Sequence, residues 1–381
     1  MLQPEDLGLF GLIGTTVLIF GLLIGADLYL PVHRDILATQ PEQRAKKFVS
    51  QFSFYSVSFL VLSPAFFWIC DRIEISTALI LMTLPVLLFD QLSMELHREL
   101  IALKEPIDAN VVYLLRSGLW VYVLAVCYWV FDIAPTLGSV LTAWMAGAAL
   151  AVFVGLLRLN RVLEIKLAAL EVDWIWTAKN LRLAMPFLVA TLALKAVEVG
   201  DRYIIEALIG LAPLGVFTLF AGIAGFINLV AYAGSVSLLY PNLVTAHTAH
   251  DRVAFRETAR SMCFRSVLVS ALAVLAIYLL IEPLLAFVDR AEYVDSLAML
   301  WYLVGAMVIT VLSQQAHFVL YARGHDKWIT IPSLLCAPLA IILNLTLIPI
   351  HGITGAAYTA AISAAFLLTV KTYAVIREKA Y

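Results

Sequence analysis

The sequence predicts an all-α integral membrane protein, a bundle of about eleven transmembrane helices in two similar halves. Three observations predict it. Of 381 residues, 62% are hydrophobic and 14% charged, with a mean hydropathy of +0.94, which is more apolar surface than one soluble core can hide. Apolar stretches of about 20 residues, enough to cross about 30 Å of hydrocarbon, recur from end to end. Short elements of the first half return in the second.

The apolar windows predict helices over 8–30, 49–70, 77–97, 109–131, 138–158, 184–207, 213–243, 264–288, 296–321, 328–349 and 353–373. The breaks between them alternate in character. One set holds Arg34, Arg44, Lys46 and Lys47; Arg98 and Lys104; Arg158, Arg161, Lys166, Lys179 and Arg182; Arg252, Arg256, Arg260 and Arg265; Arg323 and Lys327; and Lys371, Arg377 and Lys379, twenty of the 25 Lys and Arg. The other set holds only Arg72 and Arg290. Translocating basic residues against the membrane potential is costly, so the basic breaks and the C-terminus are expected on the cytoplasmic side of the inner membrane. Outward loops are then too short for a catalytic or receptor domain.

A net charge of -2 without a basic patch gives no reason to expect nucleic acid. Cys70, Cys127, Cys263 and Cys336 stand singly in apolar segments, without the spacing of metal or redox sites. No nucleophile or phosphate-loop motif stands out either, so neither an enzyme nor a bound cofactor or metal is expected.

Leu7-Gly8-Leu9-Phe10 opens the first helix and Leu214-Gly215-Val216-Phe217 the seventh, and each helix reaches a proline, Pro31 or Pro241, before a basic break. Two parallel halves related by an axis along the membrane normal are therefore expected, an N-terminal lobe over 1–182 and a C-terminal lobe over 183–381. The second half carries a helix ahead of its Leu-Gly element and the first does not. Equal halves imply twelve helices, the first of them either naturally absent or encoded upstream of Met1.

At this point the residues resemble a known family. Leu2-Gln3-Pro4-Glu5-Asp6-Leu7-Gly8-Leu9-Phe10-Gly11-Leu12 is similar to the element that follows the first helix in oligosaccharide flippases of the multidrug/oligosaccharidyl-lipid/polysaccharide (MOP) exporter superfamily. Gly25-Ala26-Asp27-Leu28-Tyr29 with Arg34, Asp201-Arg202, Leu343-Asn344-Leu345 to Pro349, and Gly352-Ile353-Thr354-Gly355-Ala356-Ala357 resemble further elements of it. The resemblance implies a two-lobed transporter that flips a polyprenyl-diphosphate-linked oligosaccharide by alternating access for surface polysaccharide biosynthesis. Membrane lipids, and other polysaccharide assembly proteins, would be its partners. A cation-coupled drug or metabolite exporter of the same fold is the rival reading, and a truncated, non-transporting relic a third.

Ionisable residues inside spans are expensive and are the candidates for function. On the sixth helix Lys195, Glu198, Arg202 and Glu206 share a stripe about 80° wide, with Asp201 beside it. Lys195 and Arg202 there, and Arg116 in the fourth helix, are the expected substrate contacts, suited to a diphosphate. Glu198, Asp201 and Asp90 are the expected ion-coupling carboxylates. Against this, the sixth-helix charges can simply neutralise one another as a ladder, and Arg116 can snorkel to the interface. Asp90, Met94 and His97 share a face, Asp27 reads as an interfacial cap, and Gln314, Gln315 and His317 form a polar notch in the ninth helix.

Overall fold

The computed structural model describes residues 2–38, 41–132, 134–163, 171–288 and 290–378. Lys166, Lys379 and Asp289 lie outside the described residues, and so does the side chain of Arg34. Among the described residues the elements are helical: α1 (Pro4–Gly25), α2 (Tyr29–Ala38), α3 (Pro41–Arg72), α4 (Thr77–Ala102), α5 (Pro106–Leu114), α6 (Trp120–Phe131), α7 (Leu137–Leu163), α8 (Trp174–Val199), α9 (Asp201–Ile209), α10 (Leu211–Ala231), α11 (Ser237–Thr248), α12 (Arg252–Val288), α13 (Ala291–Asp295), α14 (Leu297–Ala322), α15 (Lys327–His351) and α16 (Ile353–Arg377). Single π-turns, Leu115–Leu119 and Tyr232–Val236, join α5 to α6 and α10 to α11 without breaking the spans.

Among the described residues ten helices are long and apolar enough to cross a membrane, and eleven if the bent pair α8 and α9 counts as one. Their outward faces are apolar: Trp129, Ile175 and Phe287 are each 86% exposed, a surface that belongs in lipid. Many predicted helix ends fall short of the observed ones. α4 runs to Ala102, α8 starts at Trp174, and α12 starts at Arg252, so Arg98, Lys179, Arg182, Arg252, Arg256 and Arg260 are helical where breaks were predicted. Charged residues are good helix formers, and a hydropathy window stops at the first of them while the hydrogen-bonded ladder continues. Lys371, assigned by the sequence to the tail, is 4% exposed inside α16.

The predicted sixth helix also differs. Gly200 divides it into α8 and α9, with a 42° bend between them. The stripe of alternating charges therefore does not run along one straight helix, with Lys195 and Glu198 before the bend and Arg202 and Glu206 after it.

By internal packing the chain forms two units, one built from Leu12–Leu192 with Leu2, the other from Gln3–Gly11 and Ala193–Tyr381. In the first, Phe48, Leu96, Leu100, Val112, Ala151 and Leu159 form a core between α3, α4, α5 and α7. Gly155 lets α7 approach closely, since a Cβ there would stand 3.0 Å from Leu96. In the second unit Leu243, Met262, Val319 and Ala322 join α11, α12 and α14, while Leu320, Ile329 and Ala374 join α14, α15 and α16. In lipid, such contacts rest on close packing more than on the hydrophobic effect, which explains the small residues at them.

The first turns of α1 belong to the second unit and pack on α10. A Cβ at Gly8 would collide with the Leu211 carbonyl oxygen, and one at Gly215 with that of Pro4. The two Leu-Gly elements that the sequence pairs as repeats thus touch each other, backbone against backbone.

Candidate functional site

The extra turns of α4 create a polar cluster in the first unit. Gln91, Glu95 and Glu99 lie four residues apart on one helix face, and the two carboxylates are 0% and 1% exposed. A buried carboxylate is tolerated only where donors satisfy it. Glu95 accepts hydrogen bonds from Tyr55 Oη at 2.9 Å, Gln91 Nε2 at 2.9 Å and Arg98 Nη1 at 2.7 Å. Glu99 accepts from Gln51 Nε2 at 2.9 Å and meets His33 Nε2 at 3.0 Å. Gln51 and Tyr55 come from one face of α3, four residues apart, and are themselves 2.6 Å apart.

Gly21 and Gly25 of α1 close the cluster on another side. A Cβ at Gly25 would stand 2.5 Å from Gln91 Nε2 and 3.2 Å from Glu95 Oε1, so glycine is what permits the approach. The break between α1 and α2 passes through Ala26 and Asp27, both at positive φ. There Asp27 accepts a hydrogen bond from Thr191 Oγ1 at 2.6 Å, and the turn delivers Tyr29 and His33 to the site.

In front of the carboxylates lies a cavity of about 410 Å³ lined by Tyr29, His33, Met94, His97, Arg98 and Tyr113, together with Ile101 and Ala102. Arg98 is its one permanently charged lining residue, and its guanidinium carbon sits 4.0 Å from the centre of the Tyr29 ring. His97 Nδ1 donates to the Ala109 carbonyl at 2.9 Å, which leaves Nε2 as the acceptor in the neutral ring. Glu95 and Glu99 stand behind this wall and do not line it.

Two of the sequence-predicted residues meet next to the cavity. Arg116, on the π-turn Leu115–Leu119, forms an ion pair with Asp90 at 2.8 Å, and Trp144 Nε1 donates to the other Asp90 oxygen at 3.1 Å. Arg116 Nη1 also lies 3.8 Å from Met94 Sδ, which lines the cavity. The other four belong to the second unit. Lys195 and Glu198 pair at 2.6 Å in the last turn of α8, with side chains 28% and 61% exposed. Asp201 and Arg202 stand 3.7 Å apart on α9, and Asp201 Oδ1 and Arg202 Nη1 are buried without a hydrogen bond.

The sequence reading passed over Glu95, Glu99, Gln51, Tyr55 and His33. A signal was present, in Gln91-x3-Glu95-x3-Glu99 and Gln51-x3-Tyr55, two polar stripes on otherwise apolar helices. The predicted helix end at His97 cuts off Glu99, while Gln51, Tyr55, Gln91 and Glu95 lie within predicted helices whose partners the sequence does not show.

No family model and no curated protein sequence matches the chain. Solved structures do match in fold. The chain is similar to a multidrug resistance MATE family transporter of the MOP superfamily in an inward-facing conformation, with a TM-score of 0.77, 14% identity, and 99% of this chain and 91% of that one covered. It is also similar to the lipid II flippase MurJ in an inward closed conformation, with a TM-score of 0.72 and 13% identity over 98% of this chain and 80% of that one. A second MATE structure, in complex with MaL6, matches with a TM-score of 0.58 and 11% identity over 99% and 89%. The chain therefore has an all-helical membrane fold similar to those of the MATE transporter and MurJ.

Proposed function

We propose that this protein is a membrane transporter that flips a polyprenyl-diphosphate-linked oligosaccharide across the cytoplasmic membrane by alternating access, with its C-terminus in the cytoplasm. The observation that carries the reading is the wall of the 410 Å³ cavity, which Arg98 lines together with His33 and His97 while the carboxylates Glu95 and Glu99 are buried and do not line it. Glu95 takes one of the five guanidinium N–H groups, which leaves Arg98 held in place with donors to spare for a phosphate. Arg116, once released from Asp90, and Lys195 and Arg202 in the second unit are proposed as further contacts along the substrate's path. Asp90, Glu198 and Asp201 are the proposed coupling carboxylates, each close to the cation it would exchange for an ion or proton.

A second reading, export of an organic cation, is favoured by one observation, the buried Glu95 and Glu99 behind the aromatic rings of Tyr29 and Tyr113. It is weaker because Arg98 already covers the Tyr29 ring and Glu95. The test is complementation of a bacterium lacking its polysaccharide flippase, scored by surface glycan and, in parallel, by resistance to cationic drugs. Surface glycan restored by the wild type and reduced at least about tenfold by Arg98→Ala at equal membrane level is the expected result. Drug resistance without glycan would select the exporter, and neither would leave the non-transporting relic.

A further inference from the structure

The second unit contains a buried cation that the proposed transport site does not use. Lys371 on α16 is 4% exposed, and among the described residues no carboxylate lies within ion-pair distance of it. Its Nζ instead faces His317 Nδ1 of α14 at 3.5 Å. An ammonium can only donate, so His317 accepts through Nδ1 and carries its own proton on Nε2. The pair is thus two bases and one positive charge.

α14 and α16 pack on each other more extensively than any other two helices. From α14, the Tyr321 ring lies 6.4 Å from the His317 ring, and on α15 the Cys336 thiol is turned to the Ser363 carbonyl of α16 at 3.8 Å. No Asp or Glu among the described residues acts on either base. Gln315, two residues before His317, hydrogen-bonds only to its own helix, at the Val311 carbonyl, and its Oε1 is buried without a partner.

We propose that Lys371 and His317 form a proton-binding site in the second unit, and that loading His317 parts α14 from α16. A proton added to His317 sets two like charges 3.5 Å apart in a part-buried contact with no carboxylate partner among the described residues. That arrangement is relieved only when the helices separate and admit water or an anion. By linkage the converse holds, and any movement that separates the helices raises the pair's affinity for its second proton. The site itself does not depend on what is transported.

Hydrogen–deuterium exchange of the purified full-length protein tests the proposal without a substrate, so its failure is distinct from failure of the flippase reading. After correction for intrinsic rates, the wild-type segments around His317 and Lys371 are expected to exchange at least about threefold faster near pH 4 than near pH 6.5. Lys371→Met and His317→Phe are expected to lose that step. Lys371→Arg, which keeps a permanent charge, is expected to retain it. A wild type without the step, or a Lys371→Met protein with the same step, overturns the proposal. Should Lys371→Met fail to fold, His317→Phe carries the test, because a phenyl ring fills the same space beside Phe318 and Tyr321.

Discussion

Glu95 shows how a single buried group can organise its surroundings. Three donors converge on it, and each is itself buried or half-buried, so removing the carboxylate strands all three. Glu95→Leu is expected to lower stability by about 3 to 5 kcal/mol, the usual cost of orphaning one partner of a buried pair. Glu95→Gln keeps an acceptor and is expected to cost less, about 1 to 3 kcal/mol. Thermal unfolding of the two purified variants checks the order, and equal melting points would show that the cluster is solvated. At this scale the sequence was partly legible. Asp90 and Arg116 stood out as charges inside spans, and the structure joins them; but a sequence lists charges without their partners, so a coupling carboxylate and a substrate cation looked like two separate sites. Glu99 was illegible for a different reason, since it lies beyond the predicted helix end at His97, while Glu95 lies inside that helix and nothing in the sequence shows the donors that meet it.

Helix contacts are set by where a side chain is missing. Gly8 and Gly215 bring α1 and α10 into backbone contact, and Gly25 admits α1 to the Gln91 and Glu95 side chains. Gly215→Val is expected to push the start of α1 away and to destabilise the protein by about 1 to 3 kcal/mol or more, as overpacking of a close contact does. Thermal unfolding reads this, and an unchanged melting point would mean that the α1 start does not hold this position. The repeat made the two Leu-Gly elements legible as equivalents. It could not show that they touch, because sequence similarity reports shared ancestry of two helices and not the surface each one packs on. The π-turn at Leu115–Leu119 and the bend at Gly200 were hidden as well, since neither a one-residue bulge nor a glycine in an apolar run interrupts hydropathy.

At the scale of the whole molecule, hydropathy predicted most: all-helical architecture and eleven spans, against ten or eleven observed. It erred where charged turns extend helices beyond the hydrocarbon. The one-sided distribution of Lys and Arg predicts a cytoplasmic C-terminus. A green fluorescent protein fused there is expected to fluoresce and an alkaline phosphatase fusion to be inactive; the reverse pattern would invert the proposed orientation. The cavity beside Arg98 is proposed to receive the phosphates of a lipid carrier, which two ligands that differ only in that group can decide. The purified protein is expected to bind a polyprenyl diphosphate at least about tenfold more tightly than the matching polyprenol, roughly 1.4 kcal/mol, and Arg98→Ala is expected to erase the difference. Equal affinity for the two lipids in the wild type, or an unchanged preference in Arg98→Ala, would contradict the account.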